Sequence, residues 1–192
     1  MPVTHGLHPT YPVGTRRLLL RPWRADELDT YHRLCGDPEV VRYLYDEPVD
    51  RDGARTRLAA LRSALTEPGQ WANLAAEERS SATVVGDVGI GWVSDVHHVA
   101  DIGYKLLPDR RGRGYVTEAA AALVDLAFTG FGAHRVCGRI DARNTASADV
   151  LERLGVRRQA HFLKNEWVKG EWTDEVVYAV LAHEWAERRA RG

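Results

Sequence analysis

The chain has 192 residues, with 26 Lys+Arg against 27 Asp+Glu for a formal net charge of −1, and is 44% hydrophobic and 28% charged. Those fractions exclude a disordered chain, the length suits one domain, and the charge balance argues against a dedicated nucleic-acid binder, which carries a basic excess. No run approaches the roughly 20 apolar residues that span a bilayer, the N-terminus has no apolar signal region, and the two distant cysteines, Cys35 and Cys137, make neither a disulfide scaffold nor a thiol-rich zinc site.

The expectation is therefore a reduced, cytoplasmic protein without a membrane or nucleic-acid partner. Residues 1–14, with three prolines and two glycines, read as a flexible arm in which His5 and His8 are solvated. Arg17 to Arg21 reads as a first strand, stopped by Pro22. Ala25 to Gly36 reads as a helix, with Leu28, Tyr31, His32 and Cys35 on one face. A second helix is expected over Arg51 to Leu65, on the stripe Leu58, Leu61 and Leu65. Strands follow at Trp71 to Glu77 and Thr83 to Val93, around the turn Arg79-Ser80-Ser81. Gly86, Gly89 and Gly91 point to a bulge or a close backbone approach. His97-His98 reads as a turn; no third ligand is near enough for a metal.

Ala100 to Leu107 is the next strand, stopped by Pro108-Asp109. A basic, glycine-containing loop from Arg110 to Val116 leads into a helix expected over Thr117 to Phe128. His134 to Ile140 is a strand, and Asn144 opens a short helix that Gly155 stops. Arg158 to Val168 and Trp172 to Ala182 close the pattern as paired strands. Strands and helices in the order β-α-α-β-β-β-α-β-α-β-β describe a mixed α/β (α+β) domain over 15–185, with a short tail over 186–192.

The loop carries the chemistry. A helix N-terminus presents amides without intrahelical partners and the positive end of the macrodipole. Glycines let a ligand approach the backbone closely, and Arg110, Arg111 and Arg113 add charge. Together these make a seat for a phosphate or pyrophosphate; a basic turn with glycines chosen for positive φ is the plainer alternative. The stretch fits neither the P-loop spacing nor a first-unit GxGxxG fingerprint.

The sequence from Ile102 to Phe128, IGYKLLPDRRGRGYVTEAAAALVDLAF, resembles motif A of the GCN5-related N-acetyltransferases (GNAT), which use acetyl-CoA. Arg111, Gly114 and Val116 fill the signature Arg/Gln-x-x-Gly-x-Gly/Ala, with Val116 standing where a small residue is usual. The segments over 17–44, 141–156 and 170–181 resemble the branch that contains the RimJ/RimL-type ribosomal-protein N-acetyltransferases. The resemblance implies a GNAT fold: a mostly antiparallel sheet with a parallel strand pair that splays apart around the cofactor. It also implies that the strand Tyr104 to Leu107 pairs with the pantetheine arm. An amide at Leu106 or Leu107 then polarises the thioester carbonyl. Arg111 and the amides of Gly112, Arg113, Gly114, Tyr115, Val116 and Thr117 hold the pyrophosphate, Asn144 bonds the cofactor arm, and Ser147 lies near the sulfur.

The implied reaction is direct attack of a primary amine on the thioester. At pH 7, deprotonating an α-amine costs roughly 1.2 kcal/mol and a lysine amine roughly 4.6 kcal/mol, so an α-amine asks less of a base. Ser147 is the candidate to protonate the departing thiolate, although helix-start polarity explains it equally, and Asn144 is also a natural N-cap. His161 and Glu166 are the candidates for the base. Asp174, Tyr43 and Trp172 are candidates to contact the acceptor, as are Trp23, Tyr45 and Trp167. Cys137 reads as a core thiol, and the acidic run Asp46, Glu47, Asp50 and Asp52 either as a solvated loop or as an attraction for a cationic acceptor. The acceptor is either a protein N-terminus or a small-molecule amine, and the chain a monomer or homodimer. The competing readings are an acyl-CoA sensor without turnover, transfer of a longer acyl group, and an unrelated phosphoanion binder.

Overall fold

Alternating burial builds the sheet, in a computed structural model that describes residues 9–191. Positions 1–8 of the expected arm, with His5 and His8, lie outside the described residues, as does Gly192. Val13–Gly14 (β1) pairs antiparallel with Leu18–Pro22 (β2), whose Leu18 and Leu20 are fully buried. Strands Trp71–Glu78 (β3), Thr83–Ser94 (β4) and Val99–Leu106 (β5) continue as an antiparallel meander. Arg135–Asp141 (β6) pairs parallel with β5, and Arg157–Val168 (β7) and Glu171–Leu181 (β8) form the last hairpin. The eight strands form one sheet in the order β1-β2-β3-β4-β5-β6-β8-β7.

Helix Leu28–Cys35 (α1), entered through a 3-10 turn over Ala25–Glu27, buries Tyr31, Leu34 and Cys35. Its Tyr31 and Cys35 pack with Ala54 of Arg51–Ala60 (α2) in a small core of their own. Helix Tyr115–Thr129 (α3) packs on β4 and β5 in the main core. It buries Ala119, Ala120, Leu123, Val124 and Ala127, small enough on one side to let the helix settle close to the strands. Thr145–Arg153 (α4) follows β6, and Ala182–Arg191 (α5) ends the described chain.

Four differences from the sequence reading have physical causes. The second helix stops at Ala60, because Leu61 is extended (φ −62°, ψ 144°). The chain beyond it runs along the edge of β3, where the Asn73 amide donates to the Arg62 carbonyl at 2.7 Å. Leu65 therefore reaches the main core from an extended segment, not from a helix turn. The third helix begins two residues before Thr117, at Tyr115, directly after Gly114 in the left-handed region (φ +75°). The unforeseen α5 is polar but for Trp185, whose Nε1 donates to Asp125 at 2.7 Å and seats the helix. The end of the expected arm carries β1, and the Tyr11 hydroxyl donates to the Ser63 carbonyl at 2.6 Å.

Candidate active site

The parallel contact between β5 and β6 covers three positions, Val99↔Arg135 to Asp101↔Cys137. Beyond Asp101 the two strands part. The amide of Leu107 donates to the Val85 carbonyl at 3.0 Å, which fixes the phase of the antiparallel ladder. Odd-numbered residues of this stretch bond β4, and the N–H and C=O groups of Ile102, Tyr104 and Leu106 face the opening. Of the two amides expected to meet a thioester, Leu106 alone is free in this direction. Leu107 is buried and its donor is already committed, which corrects its place in the expected cofactor set.

A cavity of about 960 Å³ occupies the opening. Tyr104, Lys105 and Leu106 form one wall, Arg111, Gly112 and Gly114 to Glu118 the base, and α4 the opposite side, while Arg113, expected beside them, does not line the cavity. Gly112 (φ +74°) and Gly114 (φ +75°) take conformations that L side chains adopt at a cost, and a side chain at Gly112 would meet nothing within 4 Å. The first intrahelical bond into this turn runs from the Glu118 amide to the Gly114 carbonyl at 3.2 Å. The amides of Tyr115, Val116 and Thr117 precede it and have no such partner.

The base is braced from behind. Glu118 accepts from the Thr15 hydroxyl and the Arg17 amide, both at 2.6 Å, and from Arg17 Nε at 2.7 Å. Arg17 Nη1 donates in turn to the Arg113 carbonyl at 2.8 Å, and its guanidinium lies 4.7 Å from the Tyr115 ring centre. Burial alone would raise the Glu118 carboxyl, but the Thr15 and Arg17 donors outweigh it and hold the group below its ordinary value. Tyr115 is buried, and its hydroxyl donates to Glu78. Arg111 forms an ion pair with Glu39 at the cavity mouth.

Asn144 caps α4: its Oδ1 accepts from the Ser147 amide at 3.1 Å. That bond leaves the Nδ2 hydrogens free, so one side chain can cap the helix and donate to a ligand. Ser147 lines the cavity, and its carbonyl accepts from the Tyr104 hydroxyl at 3.3 Å, a bridge across the opening. Burial pushes the Tyr104 phenol well above its ordinary value. Tyr43 also lines this cavity.

Of the other expected catalytic and acceptor residues, Tyr45 lines a second cavity, described next, and Trp23 bonds a carboxylate of it. His161, Glu166, Asp174 and Trp172 line neither this cavity nor the one described next. His161 Nε2 sits 3.2 Å from Asp174, whose other oxygen accepts from the Lys164 amide at 3.0 Å. That arrangement braces the β7–β8 hairpin. Trp172 packs edge-on against Trp167 on the exposed face of the same hairpin. Glu166 accepts from Asn165 Nδ2 at 3.2 Å, and its charge adds to burial in raising the phenol of Tyr45. Burial raises the Cys137 thiol, consistent with a core role.

A second cavity, of about 860 Å³, opens on the other face of β5 and shares Leu44, Tyr104 and Lys105 with the first. Its floor is the indole of Trp71. A Cβ at Gly91 would come within 2.5 Å of that ring and one at Gly103 within 3.2 Å, so those glycines exist to admit it. Both readings of the β4 glycines are realised here. Val85, beside Gly86, is the extra residue where the β3–β4 register shifts, and Gly89 and Gly91 allow the close approach.

Two carboxylates that the sequence reading passed over belong to this cavity. Asp87 is buried, held by Trp23 Nε1 at 2.7 Å and Lys105 Nζ at 3.3 Å; burial raises its pKa against those partners. Asp101 pairs with Arg139 through Oδ2 at 3.3 Å, while its Oδ1 is buried without a hydrogen-bond partner. Burial raises Asp101 as well, against the pull of Arg139. The available signal was one of phase: Asp101, Gly103 and Lys105 alternate with apolar residues along β5.

Among the described residues no cluster of His, Cys, Asp and Glu suits a metal, and no helix is long and apolar enough to cross a membrane. Residues 17–157 match the family described as acetyltransferase (GNAT) domain. An uncharacterized N-acetyltransferase of Bacillus licheniformis, p20, is 27% identical over 173 residues, 90% of this chain and 97% of that protein. The spermidine N(1)-acetyltransferase of Escherichia coli K12 is 22% identical over 90% of this chain and 91% of its own. The crystal structure of a GNAT-family acetyltransferase from Bacillus anthracis superposes with a TM-score of 0.80 at 25% identity, covering 90% of this chain and 99% of that one. With its parted strands, free helix amides and matched sequence, this chain belongs to the acetyl-CoA-dependent GNAT family of N-acetyltransferases.

Proposed function

We propose that the chain binds acetyl-CoA in the first cavity and acetylates a primary amine that enters through the second. The observation that carries this reading is the meeting of the two cavities at Tyr104 and Lys105, on the strand that parts from β6. Acetyl-CoA supplies the activated acetyl group as a thioester. The Tyr115, Val116 and Thr117 amides, with Arg111 and the Gly112 to Gly114 backbone, suit its diphosphate. The Tyr104 and Leu106 backbone groups suit an amide-bearing arm laid along β5. Asn144 Nδ2 serves as a further donor to that arm, and the Ser147 hydroxyl as a donor to a thiolate.

On the acceptor side, Asp101 is the group placed to take the amine's proton. Asp101 lines the cavity, its Oδ1 lies beneath the wall without a hydrogen-bond partner, and burial makes the carboxyl a stronger base than a free aspartate. We therefore assign it the role expected of His161 or Glu166. An α-amine, which gives up its proton for roughly 1.2 kcal/mol at pH 7, suits a carboxylate base. The reduced, buried Cys35 and Cys137 accord with a cytoplasmic setting.

The test is a screen of amines monitored by release of free CoA thiol, with peptides beginning in Ser, Ala or Met beside spermidine. Turnover with one of them is expected. Tight CoA binding with no transfer to any amine would refute the catalytic reading.

A further inference from the structure

The second cavity carries more information than its size. Its ionisable lining groups pair internally: Arg57 with Asp46 at 3.5 Å, Lys105 with Asp87 at 3.3 Å, and Arg139 with Asp101 at 3.3 Å. Arg139 also contacts the buried Glu175 at 3.3 Å. One guanidinium thus faces two carboxylates on the β5–β6 side, which is left with a negative surplus. Arg62, at the opposite end of the cavity, forms no ion pair among the described residues.

The spacing follows from the sheet. Arg62 bonds the edge of β3 at Asn73, and Asn73, Gly89 and Gly103 stand in register across β3, β4 and β5. Arg62 therefore lies three strand spacings from β5, about 14 Å at 4.7–4.9 Å each. The cavity is bipolar over that span, with Trp71 as its floor between the two ends.

We infer that the acceptor is a small amino-carboxylate of peptide length, its amine toward β5 and an anionic group toward Arg62. This rests on the acetyltransferase reading and narrows its substrate. A polyamine fits poorly, because its second ammonium would approach the like charge of Arg62. A neutral amine would leave Arg62 unused. The E. coli relative acts on spermidine by its name, so the inference separates this chain from that protein in acceptor chemistry.

The experiment compares three acceptors on the full chain with saturating acetyl-CoA: alanyl-glutamate, its isosteric alanyl-glutamine amide, and spermidine. Alanyl-glutamate is expected to show kcat/KM at least tenfold above the other two. Arg62→Gln is expected to erase that advantage through KM, and Arg62→Lys to restore most of it. Calorimetric binding of alanyl-glutamate to the CoA-loaded protein should weaken in step with Arg62→Gln. A preference for spermidine or for the amide overturns the inference. So does an unchanged acceptor ratio in Arg62→Gln, or bound CoA with no transfer to any of the three. Failure of CoA itself to bind would bring down the acetyltransferase reading and this inference with it.

Discussion

Replacing Glu118 by glutamine tests how the diphosphate seat is held. The carboxylate joins the first turn of α3 to Thr15 and Arg17 through three bonds of 2.6–2.7 Å. Hydrogen bonds to a charged group contribute about 1.5–3 kcal/mol each, so the gross figure exceeds 4 kcal/mol. Glutamine keeps one acceptor oxygen and turns an amide donor toward another donor. The Arg17 side chain is one-third exposed, which screens part of the charge term. A net loss of about 2–3 kcal/mol at pH 7 remains, roughly 4–12 °C in Tm for a domain of this size.

The pH dependence is the sharper readout. The folded Glu118 pKa is lowered from 4.5, so its contribution is complete above that value. It is lost as pH falls through the lower folded pKa. Wild type and variant should therefore differ by a constant Tm gap from pH 8 to about 5, and the gap should close in stronger acid. Thermal melts by circular dichroism over that range provide the measurement. A gap that does not shrink as pH falls below 4.5, or none at pH 7, would show that the charge does not brace the loop.

Three further substitutions separate the parts of the site. Gly114→Asp forces a side chain into φ +75° and puts a carboxylate beside the free α3 amides; calorimetry should show CoA affinity reduced at least tenfold, and an unchanged Kd would remove the seat from this loop. Ser147→Ala should lower kcat several-fold while CoA affinity holds, and equal turnover would end its role toward the thiolate. Asp101→Asn should lower kcat/KM for α-amine peptides at least tenfold, within the usual range for a lost general base, and full activity would return the proton to solvent.

Most of the first cavity's lining was legible in the sequence because it depends on local order: a strand, a proline stop, glycines and a helix start lie within Ile102 to Phe128. The phase of that strand was not legible. Whether Leu106 or Leu107 offers its amide depends on the bond from Leu107 to Val85, a residue more than twenty positions away. The second cavity is assembled from seven separated segments, so Asp101, Trp71 and Arg62 carried no common local signature. His161 and Glu166 looked suitable by residue type and by closeness in sequence to the short helix. The hairpin instead carries them to an exposed edge. The Leu58, Leu61 and Leu65 stripe misled for a related reason: Leu65 is buried as a helix would require, but an extended chain delivers it.

The alternation along β5 ties donor and acceptor recognition to a single alignment. In the proposed reaction, even positions offer main-chain groups to one substrate, and odd positions offer side chains to the other. Sliding the strand by one residue would exchange Asp101, Gly103 and Lys105 for Ile102, Tyr104 and Leu106 and ruin both halves at once. Drift in what this enzyme accepts therefore has to come from the far end of the second cavity, at positions such as Arg62, while the central strand stays fixed.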